Sequence, residues 1–313
     1  MSWIVNESLA TLPDLCSDVD ELILFRRDDW NSVFGIWGFF GFLRSLKRRS
    51  WDYVIDVQGL FRSGLCAWFA GDGSNVYGFA DAREFASTFY ARKIVVPDLV
   101  RHAVDRNLYL LNECLGSDEL YDHPRFNRDD GCVAEIDDLL DGKVGSSSIV
   151  TVAVGSRWES KNWPPEFFAA VMDRVAYESN ASIVLVGSPS EVVIGEKVMS
   201  ASRSKKFVDL IGKTTLGGMV ELIRRSEVLM TNDSGPMHVA AAFGIPTVTF
   251  FGPTSPERTG PYGSIHVIFE SKLDCSPCYN RKCPLSTQIC LRDTVTVDMA
   301  ADAVLSKLTG EDK

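Results

Sequence analysis

Two α/β domains, each built on a mainly parallel sheet, are the fold this sequence predicts. Three observations carry that expectation. Short β-rich runs alternate with helical stretches almost throughout the 313 residues, as parallel βαβ units require. The length is itself about two domains' worth at roughly 150 residues each. A polar, glycine-containing stretch at 137–147 then precedes the apolar run 148–154, which puts a first domain at 1–145 and a second at 146–313, the second ending in a cysteine-rich segment and a helix.

The elements follow in order. Strands are expected at 21–25, 53–57, 75–78 and 93–96, then at 148–154, 183–187, 207–210, 228–232 and 247–251. A continuous apolar run such as 148–154 reads as a parallel strand covered on both faces. Helical stretches lie at 60–70, 102–115, 165–179, 191–202, 216–225 and 236–243. In sheets of this kind ligands bind at the carboxyl ends of the strands, so a ligand between the two domains is expected.

Composition narrows the function classes. With 45% hydrophobic and 24% charged residues the chain is globular, and disordered or fibrous classes are excluded. The longest stretch without Asp, Glu, Lys or Arg, 234–256, is interrupted by His238, Pro236, Pro246 and Pro253, so it reads as folded structure rather than a bilayer span. No basic stretch followed by an apolar one opens the chain, and a cytoplasmic location is expected. A net charge of −10 argues against a nucleic-acid partner, whose phosphates need a basic face. An anionic ligand must be held by local positive groups.

The most informative segment is 228–244. An apolar strand runs into Asn232, Asp233 and Ser234, which are cap-type residues, then into Gly235 and Pro236. A helix starting there presents backbone N–H groups and the positive end of its dipole, which favour an anion. The ordinary alternative is a plain helix cap. Two other loops support the phosphate reading: 155–165 offers Ser156, Arg157 and Lys161, and 251–256 is a Gly-Pro loop with two hydroxyls. Three strand ends thus carry small residues, hydroxyls and cations, chemistry that fits a nucleotide diphosphate. The Asp18-Val-Asp20 pair reads as a surface turn and is weak support for a metal–nucleotide site.

On these residues the sequence resembles a known family. Asp233-Ser-Gly-Pro-Met-His238, Phe251-Gly-Pro-Thr-Ser-Pro256 and Ser156-Arg-Trp-Glu-Ser-Lys-Asn-Trp-Pro164 look like motifs of the bacterial lipopolysaccharide heptosyltransferases. In the first half, Tyr53-Val-Ile-Asp-Val-Gln-Gly59, Asp81-Ala-Arg-Glu84, His102-Ala-Val-Asp-Arg106 and the opening segment 2–8 resemble the heptosyltransferase I branch. The resemblance implies a GT-B architecture, two Rossmann-like domains facing a central cleft. It also implies an inverting, metal-independent glycosyltransferase of lipopolysaccharide synthesis, moving heptose from ADP-heptose to the Kdo region of lipid A. Donor binding then falls to Ser156, Arg157, Lys161, Glu191, Asp233, Ser234, Gly235 and His238, with Lys161 stabilising the leaving group. Glu191 has the alternative of an ordinary first-turn acid and His238 that of a packing residue.

For the acceptor the resemblance points to Arg26, Arg27 and Arg83, which alternatively form surface salt bridges. The family's opening strand, Gly-Asp loop and helix are expected to lie before residue 1, and with them its general-base aspartate. In 30–50, Val33, Ile36, Trp37, Phe39, Phe40, Phe42, Leu43 and Leu46 lead into Arg44, Lys47, Arg48 and Arg49. Such a helix either lies on the inner face of an anionic membrane or packs on the first sheet with a basic end suited to its dipole.

Eight cysteines divide into two groups. Cys16, Cys66, Cys114 and Cys132 lie among apolar residues, as small packing groups do. Cys275-x2-Cys278-x4-Cys283-x6-Cys290 is compact enough to hold a structural zinc or an iron–sulfur cluster, although it has the spacing of neither a zinc ribbon nor a ferredoxin. Reduced or disulfide-prone thiols are the alternative. Three rival functions stand beside the heptosyltransferase reading. One is a transferase of another nucleotide sugar, and one is an inactive donor-binding remnant. The third, a nucleotide-dependent epimerase or dehydrogenase, lacks a Gly-x-Gly-x-x-Gly fingerprint after any strand.

Overall fold

The computed structural model describes residues 1–26, 29, 35–145, 147–285 and 289–310. The chain divides into a smaller compact unit, residues 2–10 and 21–122, and a larger one, residue 1 with 11–20 and 123–313.

In the smaller unit β1 (Ser2–Asn6) pairs in parallel with β2 (Glu21–Phe25). Between them in sequence, α1 (Thr11–Leu15) belongs to the larger unit. The next helix, α2 (Gly35–Lys47), covers the β1–β2 pair: Leu43 and Leu46 are buried with Ile4, Ile23 and Phe25. A second parallel sheet has the order β3 (Val54–Asp56), β4 (Val76–Phe79), β5 (Arg92–Ile94). It is flanked by α3 (Phe61–Ala70) and by α4 (Ala103–Leu115), whose Leu110 and Cys114 meet Tyr77 and Phe79. Burial, the larger cause in each case, pushes the Cys66 thiol up to about 12 and the Cys114 thiol up to about 11. Both behave as apolar fillers.

The Asp56-Val-Gln-Gly59 motif is a buried latch. Oδ1 of Asp56 accepts from the amides of Gln58 and Gly59, and Oδ2 from Ser63 Oγ at 2.9 Å and Tyr90 OH at 2.7 Å. Burial and the Asp56 carboxylate push the Tyr90 hydroxyl up, so it stays protonated and keeps donating. Gly59 has φ +64°, a conformation open to glycine, and its carbonyl accepts from the Arg83 amide at 2.9 Å. The latch therefore sets the loop that carries Arg83. Removing one hydrogen bond to a carboxylate costs about 1.5–3 kcal/mol, and Tyr90→Phe is expected to lower unfolding stability by that amount in urea titrations.

The larger unit alternates strand and helix: α5 (Asp130–Leu140), β6 (Ile149–Ala153), α6 (Pro165–Glu178), β7 (Ser182–Val186), α7 (Val192–Ala201), β8 (Val208–Asp209) and α8 (Leu216–Arg224). There follow β9 (Val228–Asn232), α9 (Gly235–Ala242), β10 (Thr247–Phe251), α10 (Pro256–Thr259), β11 (Val267–Glu270), α11 (Ile289–Arg292) and α12 (Val297–Thr309). The strands form one parallel sheet in the order β11-β10-β9-β6-β7-β8. Alternation along β6 sends Val150 and Val152 to a core with Phe168, Met172, Phe250 and Val304, and Ala153 to the opposite core with Val184, Leu222 and Ala240. Helices on both faces make the sheet doubly wound. Trp163, Phe168 and Phe250 form the aromatic heart of the first core, with Trp163 stacked on Phe250 at 4.1 Å.

Two expectations change. The stretch 137–147 is not all linker, because 137–140 closes α5, whose Ile136 and Leu140 are buried with Val220 and Leu222 of α8. The units also part between Asp122 and His123, upstream of the expected 145/146. Buried Glu221 on α8 explains why: it accepts from Arg128 at 2.7 Å and from Arg225 at 2.8 Å, tying 123–128 to this unit. β1, β11 and the helices α1, α5, α10 and α11 have no counterpart among the expected elements. Phe168→Ala is expected to cost about 3–5 kcal/mol, read as loss of thermal stability of the larger unit.

Candidate functional site

A parallel sheet brings all its carboxyl ends to one edge, and the register makes those ends level. Ala153 of β6 lies between Val186 of β7 and Thr231 of β9, and Phe250 of β10 lies beside Asn232. The loops that follow, beginning at Val154, Gly187, Asp233 and Gly252, therefore emerge side by side. They carry most of the expected donor residues.

Asn232 fastens both ends of the loop between β6 and α6 to the end of β9. Its Nδ2 donates to the Val154 carbonyl at 2.8 Å, and its Oδ1 accepts from the Trp163 amide at 2.9 Å. Next to it, Asp233 accepts from Lys161 Nζ at 2.6 Å and from Thr254 Oγ1 at 2.6 Å, both at Oδ2. The side chains are largely covered, Lys161 being 17% and Asp233 7% exposed. The Lys161 ammonium also lies over the Trp158 ring, 4.6 Å from its centroid. Ser156 Oγ donates to the Asp233 carbonyl at 3.2 Å. Ser156, Lys161 and Asp233 thus form one cluster, with Thr254 and Asn232 as members that sequence reasoning passed over. The two hydroxyls of the 251–256 loop were the available signal for Thr254.

α9 starts at this cluster. Its N-cap, Ser234, makes no side-chain cap; the hydroxyl shares a 3.0 Å hydrogen bond with Thr231 Oγ1 instead. Nothing lies within 4 Å of where a Cβ on Gly235 would stand, so an anion has open access to this backbone. Arg157, Gly235 and His238 are exposed. Glu191 folds back along the rim. Its Oε2 accepts from the Ser188 amide at 2.6 Å and hydroxyl at 2.8 Å, while its carboxylate fills the space a Cβ on Gly155 would need. Glu191 is a local cap and also a carboxylate held against the end of β6.

In the smaller unit Arg26 follows β2 and pairs with Glu7 at 3.2 Å, and Arg83 is exposed in the loop after β4. These two stand at the ends of strands in separate sheets. Arg27 lies outside the described residues. Arg106 holds Asp81 at 2.7 Å and lies over Phe79 at 5.2 Å, which pins the same loop. Asp18 is used otherwise than for a metal: it accepts from the Arg125 side chain and amide.

Among the described residues no group of three or more His, Cys, Asp or Glu is arranged to hold a metal ion. Cys275, Cys278 and Cys290 are free thiols. Burial, then neighbouring Cys283, Cys275 and Cys278, raise the Cys290 thiol, so those three stand within electrostatic reach of it. The backbone around them is committed to bracing the site. Ser160 donates to the carbonyls of Asn280 at 2.6 Å and Arg281 at 3.2 Å, and the Tyr279 amide donates to the Pro253 carbonyl at 2.8 Å.

Comparison with known proteins decides the family. The sequence profile of glycosyltransferase family 9 (heptosyltransferase) matches residues 39–288. The chain belongs to this family. Among curated relatives, lipopolysaccharide heptosyltransferase 1 of Pseudomonas aeruginosa is 29% identical over 290 residues, covering 90% of this chain and 78% of the relative. The Escherichia coli K12 protein of the same name is 26% identical over 273 residues, covering 85% and 82%. A solved family 9 glycosyltransferase from Veillonella parvula superposes with a TM-score of 0.81 at 22% identity, covering 99% of this chain and 88% of the other. The E. coli heptosyltransferase WaaC solved with ADP gives 0.72 at 22% identity, covering 98% and 89%. A solved heptosyltransferase and a solved family 9 glycosyltransferase thus share the fold over nearly the whole chain, and the GT-B fold class holds.

The buried pair makes a test independent of ligand. Lys161→Met leaves Asp233 buried with the Thr254 hydroxyl as its remaining side-chain partner, and is expected to destabilise the larger unit by about 1–3 kcal/mol in urea titrations. Asp233→Asn in the same background is expected to recover part of that loss.

Proposed function

We propose that this glycosyltransferase moves heptose from ADP-heptose to the Kdo-bearing inner core of lipid A, with inversion at the anomeric carbon and without a metal ion. The larger unit binds the donor and the smaller unit the acceptor. The observation that carries the reading is the Lys161–Asp233–Thr254 cluster at the start of α9. The names of the curated relatives, heptosyltransferases acting on lipopolysaccharide, support the substrate class.

In an inverting transfer the acceptor hydroxyl attacks the anomeric carbon from the face opposite the leaving group. The bond to the ADP oxygen breaks as the new glycosidic bond forms, and the hydroxyl proton leaves to a base. Negative charge grows on the departing diphosphate. An ammonium has three N–H donors, so Lys161 can hold Asp233 with one and meet phosphate oxygens with the others. The α9 dipole and the unobstructed Gly235 backbone act on the same charge. Ser156, Arg157, Ser234 and His238 complete the phosphate side, and Glu191 receives the ribose hydroxyls. Arg26, Arg27 and Arg83 receive the carboxylates and phosphates of the acceptor, since guanidinium offers a planar, two-pronged donor. The protein works at the cytoplasmic face of the inner membrane, where a lipid-borne acceptor is within reach.

The test pairs binding with transfer. ADP and ADP-heptose are expected to raise the melting temperature, as a ligand specific to the folded state must, whereas UDP-sugars leave it unchanged. Lys161→Met is expected to lower the rate of heptose transfer to Kdo-bearing lipid A by about 10²–10³-fold, the usual loss when one leaving-charge stabiliser is removed. Transfer that is indifferent to Lys161, or a preference for another nucleotide, contradicts the reading.

A further inference from the structure

Among the described residues of the smaller unit, the outward face of α2 is not accounted for by packing. Its inward face is ordinary. Leu43 and Leu46 are buried, and Phe39 and Phe42 meet Phe25 edge-on at 6.3 and 5.6 Å. A helix on the surface of a globular unit normally turns polar side chains outward. Here the outward stripe, at helical spacings of three and four, begins with Trp37 and Phe40, which are 75% and 50% exposed. It continues through Arg44 to Lys47 and Arg48, all exposed. No acid lies between Asp29 and Asp52 in the sequence, although the chain as a whole carries −10. Arg49, by contrast, is engaged with Glu21 at 2.7 Å and lies over the Trp51 ring at 5.7 Å.

A basic helix end by itself is explained by the helix dipole. Exposed aromatics are not, because the dipole rewards only charge. Aromatic rings that sink to headgroup depth, followed by cations at headgroup level, are the two halves of an interfacial anchor. Charge complementarity selects the occupant: a run of cations without acids, on an acidic protein, fits a surface of fixed negative charge. We infer that the Trp37–Phe40–Arg44–Arg48 stripe of α2 docks the protein on an anionic phospholipid bilayer. No helix among the described residues is long and apolar enough to cross a membrane, so the contact is peripheral. This deepens the reading of a lipid-borne acceptor and rests on it for its purpose, but the surface can be examined without any sugar chemistry.

The probe is vesicles free of glycolipid, made of phosphatidylcholine alone or with phosphatidylglycerol. The full chain is expected to sediment with the phosphatidylglycerol vesicles, to show a blue shift of tryptophan emission there, and to be released by high salt. Each basic residue near such a surface strengthens binding about fivefold. Arg44→Glu/Lys47→Glu/Arg48→Glu is therefore expected to weaken it by at least about 100-fold. Trp37→Ser/Phe40→Ser is expected to abolish the blue shift and weaken binding by about tenfold or more. All five positions are exposed, and an unchanged melting-temperature response to ADP identifies variants that keep their fold. The single variant Arg48→Glu, beyond the helix end, serves where a multiple variant does not. Loss of binding in both sets sustains the inference. Failure of the unmodified chain to bind phosphatidylglycerol vesicles, or undiminished binding by either set, overturns it. Because these vesicles carry no acceptor, either result leaves the transfer reaction to be judged by its own assay.

Discussion

One buried amide holds the rim of the larger sheet together. Asn232 sits at the last position of β9, where its neighbours in space are the end of β6 and the turn that leads into α6. By donating to Val154 and accepting from Trp163 it locks both ends of the β6–α6 loop to the strand that precedes α9. A buried amide left unpaired is costly, so the arrangement is strongly specified once the sheet forms. The stack of Trp163 on Phe250 then fastens the same turn to the aromatic core. The placing of the loops at this edge depends on this fixed geometry.

The electrostatics follow from it. Bringing an ion pair such as Lys161–Asp233 out of water can cost more than its attraction alone returns, and such a pair is poor grounds for stability. Its value here is positional. Asp233 and Thr254 hold a cation at the start of a helix whose cap side chain is engaged elsewhere, so charge and dipole converge on one open stretch of backbone. The cysteine segment supports this from outside through Ser160, Tyr279 and the Cys290 side chain packed against Gly252. In the smaller unit the Asp56 latch plays the corresponding part for the Arg83 loop.

Much of the fold was legible in the sequence because its signal is local. Parallel strands buried on both faces, such as 148–154 and 228–232, are continuous apolar runs, and the Asp233-Ser-Gly-Pro turn carries its own cap chemistry. Non-local features were not legible. Asn232 reads as a cap-type residue, yet its partners lie 78 and 69 residues away. The end of α5, 137–140, opens on two acids and reads as linker, since its burial depends on α8. The cysteine spacing reads as a ligand set, whereas the surrounding backbone is committed to the Ser160 and Gly252 loops. The aromatic residues of α2 are apolar in sequence whichever way they face, and only the fold separates Leu43 from Trp37.

The most direct measurement is a crystal structure of the protein with ADP. The expected density has its diphosphate against the backbone at Gly235, within hydrogen-bond distance of Lys161 Nζ, with the ribose beside Glu191. A diphosphate bound elsewhere, with the start of α9 holding only solvent, contradicts the account.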